Sequence, residues 1–162
     1  MTPDTDVEIF KPGVPGLPST AKVIALCAAK GLQFATTTYT SPPDHVFFIK
    51  YGSHFDLSEA HARRFFCDSV SPLQAHTVHI PEIYHAFKHD RTTYIVMEYV
   101  DFDRFADQAQ KAEKVGQLLA AEMPPDARLG PVGGGVVHHE FFPESEAPYQ
   151  FDPVQELERF PE

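Results

Sequence analysis

Apolar residues recur along the chain at two different spacings, and these spacings separate predicted helices from predicted strands. Segments 20–30 and 56–70 carry apolar side chains at helical intervals, and Gly31 follows the first where a left-handed cap is favoured. Four other segments are rich in β-branched and aromatic residues and are predicted strands: 34–39, 45–51, 82–87 and 92–100. The alternation of the two patterns predicts an α+β fold.

Turn residues between the predicted strands indicate how the strands pair. Pro42 and Pro43 separate the first two strands, and KHDR (88–91) separates the last two. Short connections rich in such residues are typical of antiparallel neighbours. We therefore expect antiparallel pairing within each pair of strands.

The two ends of the chain differ from its centre. Proline and glycine are dense in 1–19, so this segment is predicted to be a leader without regular structure. A long helix is predicted over 101–123 and a short helical pattern over 153–160. The chain is thus divided into the leader, a sheet-forming part (20–100) and a mainly helical part (101–162).

Composition and charge exclude several classes of function. Thirteen Lys plus Arg against 23 Asp plus Glu give a net charge of −10, which opposes binding to nucleic acid. Only two cysteines occur, Cys27 and Cys67, and no signal-like apolar run follows the first residue, so a reducing cytoplasm is expected. No apolar stretch approaches the roughly 20 residues that span a bilayer, and no membrane partner is expected.

Three local sequences are more specific than the composition. VFFIKYG (46–52), SEA (58–60) and IPEIYHAFKHDRTTYIVMEYV (80–100) resemble the nucleotide lobe of fungal aminoglycoside-phosphotransferase-like proteins, and the likeness continues through 129–142 and 147–160. This family is similar in fold to the protein kinases. The resemblance implies a protein-kinase-like N-lobe (an antiparallel sheet plus one helix), a hinge, and only the first, mainly helical part of a C-lobe. One of the five strands of such a lobe has no predicted counterpart.

The resemblance assigns a nucleotide-binding role to Lys50, with Glu59 as its partner. In the family this strand lysine contacts the α and β phosphates. Two other interpretations of Glu59 remain open from the residues alone. Asp56 and Glu59 match a capping box, and Glu59 with Arg63 matches an exposed i, i+4 ion pair.

The resemblance also places a hinge at Met97, Glu98, Tyr99 and Val100. There the Glu98 carbonyl and the Val100 amide would pair with an adenine edge through backbone groups. The alternative is that these residues simply end a buried strand. ATP is accordingly the candidate cofactor, and Met97, Glu98 and Val100 join Lys50 and Glu59 as candidate binding residues.

The residues that perform phosphoryl transfer in this fold do not occur in the sequence. Catalysis needs an HGDxxxxN-like loop and a later Mg²⁺-binding Asp, and neither motif is found. His138, His139 and Glu140 come closest in composition but lack the Gly-Asp that should follow. The glycine-rich run 130–135 lacks the Lys and Ser/Thr of a P-loop and is interpreted as a connector. No catalytic residue, metal ligand or Mg²⁺ is therefore assigned.

Three functions remain open from the sequence. The first is a catalytically incomplete phosphotransferase-like protein that still binds nucleotide. The second is a regulatory module that binds a protein partner or self-associates through apolar surface left uncovered by a partial C-lobe. The third is a fragment of a longer active phosphotransferase, and the acceptor substrate is not predictable from any of them.

Overall fold

The computed structural model describes most of the N-terminal two thirds of the chain and short parts of the rest. The described residues are 7–31, 35–69, 79–102, 107–119, 130–131, 135–137, 142 and 146–151. The strands are β1 (Val7–Ile9), β2 (Thr36–Ser41), β3 (His45–Gly52), β4 (Ile83–His89) and β5 (Thr92–Glu98). The helices are α1 (Thr20–Lys30), α2 (Leu57–Ser69) and α3 (Gln108–Leu119).

The described strands form one antiparallel sheet in the order β1-β4-β5-β3-β2. Phe47, Ile49 and Tyr51 of β3 point to the face that α1 covers, where they pack with Val23 and Cys27. The alternate residues of β3 point to the other face, which α2 covers. The protein is therefore an α+β fold in which both faces of the sheet carry a helix.

The central strands are buried along almost their whole length. Residues 83–87 of β4 and 93–97 of β5 are all buried, whereas the edge strand β2 alternates between exposed and half-buried positions. A strand covered on both faces has no side that faces solvent, so its sequence is apolar at successive positions. This explains why EIYHAF and TTYIVMEYV carry apolar residues at successive positions instead of at every second position.

The prediction that residues 1–19 lack regular structure is wrong for β1. Val7–Ile9 pairs with β4, with Ile9 opposite His85, and supplies the strand that the sequence did not place. Proline removes a backbone donor only at its own position, and Pro3 and Pro12 lie outside these three residues. A three-residue edge strand is too short to produce a recognisable alternation.

The rest of the leader packs against the sheet. The amides of Phe10 and Lys11 both donate to the carbonyl of Tyr84, and Val14 and Leu17 contact the core on the α1 side. Ser19 then caps α1 by accepting from the Lys22 amide at 3.3 Å. The leader is thus part of the folded unit rather than a loosely attached arm.

Gly16 is the tightest point of this docked leader. Its φ is +73°, and a Cβ built there would lie 2.8 Å from the Ser41 Cβ and closer still to its Oγ. Gly13 has nearly the same φ, +75°, but nothing lies within 4 Å of its Cβ position. The two glycines therefore share the backbone requirement and differ only in available space.

We expect Gly16→Ala to destabilise the protein more than Gly13→Ala does. Each substitution places alanine at positive φ, which costs about 1–2 kcal/mol, and only Gly16→Ala adds the overlap with Ser41, which costs about 1–3 kcal/mol more. Urea unfolding of both variants measures the difference. Equal losses of unfolding free energy would show that residues 10–18 do not pack on Ser41 in solution.

The long helix predicted over 101–123 begins later than expected. Residues 101–102 are not helical, and α3 begins after Asp107, whose carboxylate accepts from the Gln110 amide at 2.8 Å. The Gln110 side chain accepts in return from the Asp107 amide at 3.0 Å, so the pair forms a reciprocal cap. The later part of the predicted helix and the pattern over 153–160 lie outside the described residues.

A separate small cluster of buried residues consists of Phe142, Ala147 and Phe151. Beside it, the Ala147 amide donates to the Val137 carbonyl at 2.8 Å. Among the described residues, no helix combines the length and apolar character that crossing a bilayer requires.

Candidate functional site

Lys50 and Glu59 are brought together by the path of the chain from β3 into α2. Lys50 lies on the α2 side of β3, and Glu59 lies in the first turn of α2. The Lys50 Nζ donates to both carboxylate oxygens of Glu59, at 2.6 Å to Oε2 and 2.8 Å to Oε1. The two side chains are 22% and 27% exposed, so the pair is largely shielded yet still reachable from solvent.

The alternatives for Glu59 can be compared with this geometry. Arg63 also donates to Glu59 Oε1, at 3.1 Å from Nη2 and 3.3 Å from Nε, so the i, i+4 pair forms together with the lysine pair. Asp56 accepts from the Ser58 amide at 2.9 Å through its own carboxylate. The Glu59 carboxylate is thus turned to the two cations, and the beginning of α2 is capped by Asp56.

Electrostatics favour the charged form of Glu59. Burial would raise its pKa, but the hydrogen bonds and positive charges of Lys50 and Arg63 outweigh burial, so the pKa lies below its ordinary value. One carboxylate faces two cations, which leaves this cluster with a formal charge of +1. An excess positive charge at a partly exposed position is suited to an anionic ligand.

An aromatic ring covers part of the Lys50 ammonium. The Nζ lies 4.0 Å from the centre of the Phe55 ring, in the connection between β3 and α2. His54 in turn lies with its ring centre 4.1 Å from that of Phe55. A cation over the face of an aromatic ring is stabilised by about 0.5–2 kcal/mol, depending on desolvation. Phe55 therefore helps to hold the Lys50 ammonium in place beside Glu59.

The predicted hinge residues separate onto different surfaces. Met97 is buried opposite Phe48, so it shares the α2-facing side with Lys50. Glu98 is opposite Phe47 and points to the α1-facing side, where its Oε2 accepts from the Glu82 amide at 3.1 Å and contacts His79 Nε2 at 2.9 Å. Only the backbone of Glu98 can therefore serve a ligand on the Lys50 side.

The strand β5 ends at Glu98, two residues earlier than predicted. The Glu98 amide donates to the Glu82 carbonyl at 2.8 Å, which is the last ladder bond on that side. Tyr99 and Val100 are exposed beyond it. Within the described residues the Val100 amide donates to no backbone carbonyl, so it is a donor that a ligand could use.

A cleft of roughly 620 Å³ opens where the β2–β3 turn meets the end of β5. We call it the turn cleft, and its polar and aromatic lining consists of Asp44, His45, Tyr84, Glu98 and Tyr99. Tyr84 belongs to the core cluster on the α1 side. Val46, which also lines the cleft, lies on the same face of β3 as Lys50, so the turn cleft opens at the end of the sheet, and Lys50 is not among its described lining residues.

Sequence reasoning singled out Glu98 and Tyr99 of the turn cleft but missed Asp44, His45 and Tyr84. Asp44 lies in the β2–β3 turn, His45 begins β3 and Tyr84 lies in β4. They meet Glu98 only through the pairing of β3 and β4 with β5. The PPDH turn was a detectable signal, since a carboxylate and an imidazole adjoin a tight turn. Nothing local connected that turn to position 98.

His85 is another polar residue that the sequence did not mark as a candidate. A register shift between Ile83 and His85 marks a bulge in β4, and the imidazole is 5% exposed. Within the described part of the chain its Nε2 has no hydrogen-bond partner. Burial lowers the pKa of His85, so it is a neutral core residue at neutral pH.

No protein-family model, no curated protein and no solved structure matches this chain. Across the described ranges, no three or more His, Cys, Asp or Glu side chains are grouped so that they could hold a metal ion. The triad His138, His139 and Glu140 lies outside those ranges, as does 132–134 of the glycine-rich run. The geometry around Lys50 is therefore the observation from which a function can be inferred.

Proposed function

We propose that this protein is a nucleotide-binding module with a protein-kinase-like N-lobe, similar to aminoglycoside phosphotransferases, that does not itself transfer phosphate. One observation carries the proposal: the Lys50 ammonium bonds both oxygens of Glu59 from a rigid central strand. A strand-borne lysine oriented by a helix-borne glutamate is the arrangement that positions a cation for nucleotide phosphates in that fold.

The charge balance of the cluster supports binding of phosphate. Glu59 neutralises only one of the two cations, Lys50 and Arg63, so a phosphate oxygen can approach without displacing the carboxylate. Both cations are fixed in orientation by Glu59 before any ligand arrives. Such preorganisation lowers the entropy lost on binding.

Backbone groups at the end of β5 would recognise the base. The Val100 amide has no backbone acceptor within the described ranges, and the chain beyond Glu98 leaves the ladder. Recognition through backbone groups is insensitive to side-chain identity, so it does not depend on the exposed Tyr99 and Val100 side chains. Phe48, half-buried between Lys50 and the strand end on the same face, offers a ring surface for a purine.

The chain itself supplies no machinery for the transfer step. In-line phosphoryl transfer requires an Asp that orients the acceptor and Asp or Asn ligands for Mg²⁺, and the sequence contains neither an HGDxxxxN-like nor an IDxE-like motif. Binding is therefore proposed to be independent of Mg²⁺. Regulation or presentation of a nucleotide is the role that such a module can perform alone.

We expect ATP to raise the thermal midpoint of the protein equally with and without Mg²⁺. At about 100 times the Kd, binding to the native state contributes about 2.7 kcal/mol, which corresponds to roughly 5–10 °C for a domain of this size. Lys50→Met should abolish the shift because it removes the phosphate-binding cation. Thermal unfolding followed by circular dichroism measures both.

Lys88→Met is the matched control, since Lys88 is an exposed strand lysine of β4 away from the Lys50 cluster. This variant should retain the full ATP shift. A shift that needs Mg²⁺, or one that survives in Lys50→Met, would contradict the proposed mode of binding.

A second function is favoured by the exposed apolar residues that follow β5. Phe102 is 61% exposed and Tyr99 is 42% exposed, and Val115 on α3 is 52% exposed. Apolar surface of this kind is typical of protein interaction sites. A folded protein whose midpoint does not respond to ATP would favour this interaction function over nucleotide binding.

A further inference from the structure

We propose that the turn cleft binds an arginine side chain of a partner polypeptide. This inference does not depend on the proposed phosphate site, because Lys50, Glu59 and Arg63 are not among the described residues that line the cleft. It rests on the charges, the aromatic rings and the size of the cleft.

The charged side chains that line the turn cleft are acidic. Asp44 and Glu98 contribute carboxylates and His45 an imidazole, and among the described residues no Lys or Arg lines the cleft. Glu98 is held in place because both of its contacts, from the Glu82 amide and His79, are made by Oε2. Within the described residues Oε1 accepts no hydrogen bond, and the Asp44 carboxylate has no ion-pair partner. Because the Asp44 carboxylate and Oε1 of Glu98 have acceptor capacity left, the cleft is suited to a cation.

Two basic residues interact with Glu98, and both already have a hydrogen-bond partner. His79 contacts Oε2 of Glu98 at 2.9 Å. Lys11 forms an ion pair with Glu82, and this hydrogen bond raises the pKa of Lys11.

Aromatic rings make the cleft more suitable for guanidinium than for ammonium. The Tyr84 ring is fixed by an edge contact with Phe47, with ring centres 5.5 Å apart, and the His45 ring is stacked on the same Phe47 at 4.4 Å. Tyr99 is 42% exposed and borders the opening. A flat guanidinium can stack on such rings and donate two hydrogen bonds to one carboxylate, which an ammonium cannot do.

Charge and size identify the occupant as part of a basic polypeptide. The net charge of −10 attracts a basic partner over long distances and repels both a second copy of this chain and nucleic acid. A volume of roughly 620 Å³ exceeds that of one arginine side chain, so neighbouring peptide atoms can also enter. The open cleft at the surface is accessible to such a segment.

The test is a titration of the ¹⁵N-labelled protein with the blocked peptide acetyl-Gly-Arg-Gly-amide, followed by amide chemical shifts. We expect saturable shifts at Asp44, His45 and Tyr99. The same peptide with citrulline in place of arginine, which is isosteric and uncharged, should bind at least about tenfold more weakly, since a charge-assisted hydrogen bond contributes about 1.5–3 kcal/mol.

Variants that remove the carboxylate charges show whether the peptide binds in the turn cleft. Glu98→Gln keeps an oxygen that can accept from the Glu82 amide, and the combination Asp44→Asn with Glu98→Gln should weaken peptide binding roughly tenfold or more. Asp68→Asn removes the same charge from an exposed position on α2 and should leave binding unchanged. The amide spectrum of each variant reports directly whether it is folded.

Three outcomes would overturn the proposal: shifts that do not saturate, equal binding of the citrulline peptide, or unchanged binding in the double variant. Ethylguanidinium binding as tightly as the peptide would also overturn it, because the occupant would then be a small cation. The loss of an ATP response in Lys50→Met tests a residue that does not line the turn cleft, so the two proposals can fail separately.

Discussion

Replacing Phe47 by alanine is expected to lower the free energy of unfolding by about 3–5 kcal/mol. Phe47 is fully buried in β3, at the centre of the cluster on the α1 side. Its ring contacts Tyr39, with ring centres 6.2 Å apart, as well as His45 and Tyr84. Truncation removes these contacts, and the surrounding strands cannot close the cavity because each is held in its ladder.

Urea unfolding at pH 7 measures this loss. The matched control is Phe48→Ala at the next position, where the ring is only half-buried on the other face, and its cost should be clearly smaller. Phe47→Ala should also weaken the binding of the arginine peptide to the turn cleft, because the Tyr84 and His45 side chains lose the ring that orients them. If both phenylalanine variants lost the same stability, the assignment of Phe47 to the main core would be wrong.

Removing the charge of Glu59 is expected to lower the free energy of unfolding by about 1–3 kcal/mol at pH 7. Breaking a fully buried pair costs about 3–5 kcal/mol, and the side chain of Glu59 is 27% exposed, which reduces the figure. Glu59→Gln keeps the shape and leaves Lys50 without its counter-ion. Binding of ATP should also weaken, because the lysine loses its fixed orientation.

This loss should depend on pH. The pKa of Glu59 is lower in the folded protein than in the unfolded chain. Burial raises this pKa, but the combined effect of Lys50 and Arg63 in lowering it is larger. The unfolded state thus binds the proton more readily, so the stability from Glu59 is complete above the unfolded pKa and is lost as pH falls through the folded pKa. Wild type and Glu59→Gln should therefore become equally stable in acid.

Unfolding curves from pH 7 down to pH 3 measure the convergence. The double variant Lys50→Met with Glu59→Leu is the informative comparison, because replacing both charges by apolar groups is often neutral for stability. It should be more stable than Glu59→Gln and should not bind ATP. A stability difference that stays constant with pH would show that the pair is not formed in solution.

Most of the elements could be predicted from the sequence. The limits of α1 were predicted at 20–30, as observed, because its apolar face and Gly31 are local features. The strands predicted at 45–51 and 82–87 differ from β3 and β4 by at most two residues at either end. β1 could not be predicted, because three residues acquire a strand conformation only by pairing with β4.

The same distinction applies to the candidate site. The family resemblance paired Lys50 with Glu59, and the structure brings the two side chains into hydrogen-bond contact. Their role with a nucleotide stays a prediction. The turn cleft was not foreseen, because Asp44 and Tyr84 are distant in sequence from each other and from Glu98.

The sequence by itself determined the elements and the residues that can act within a single strand–helix unit, since periodicity and capping depend on neighbours a few positions apart. Only the tertiary structure decided which face of the sheet each side chain occupies and which distant strands are adjacent. The reason is that the order β1-β4-β5-β3-β2 follows from burying both faces of the central strands. That order sets Glu98 beside the β2–β3 turn and Lys50 on the opposite side.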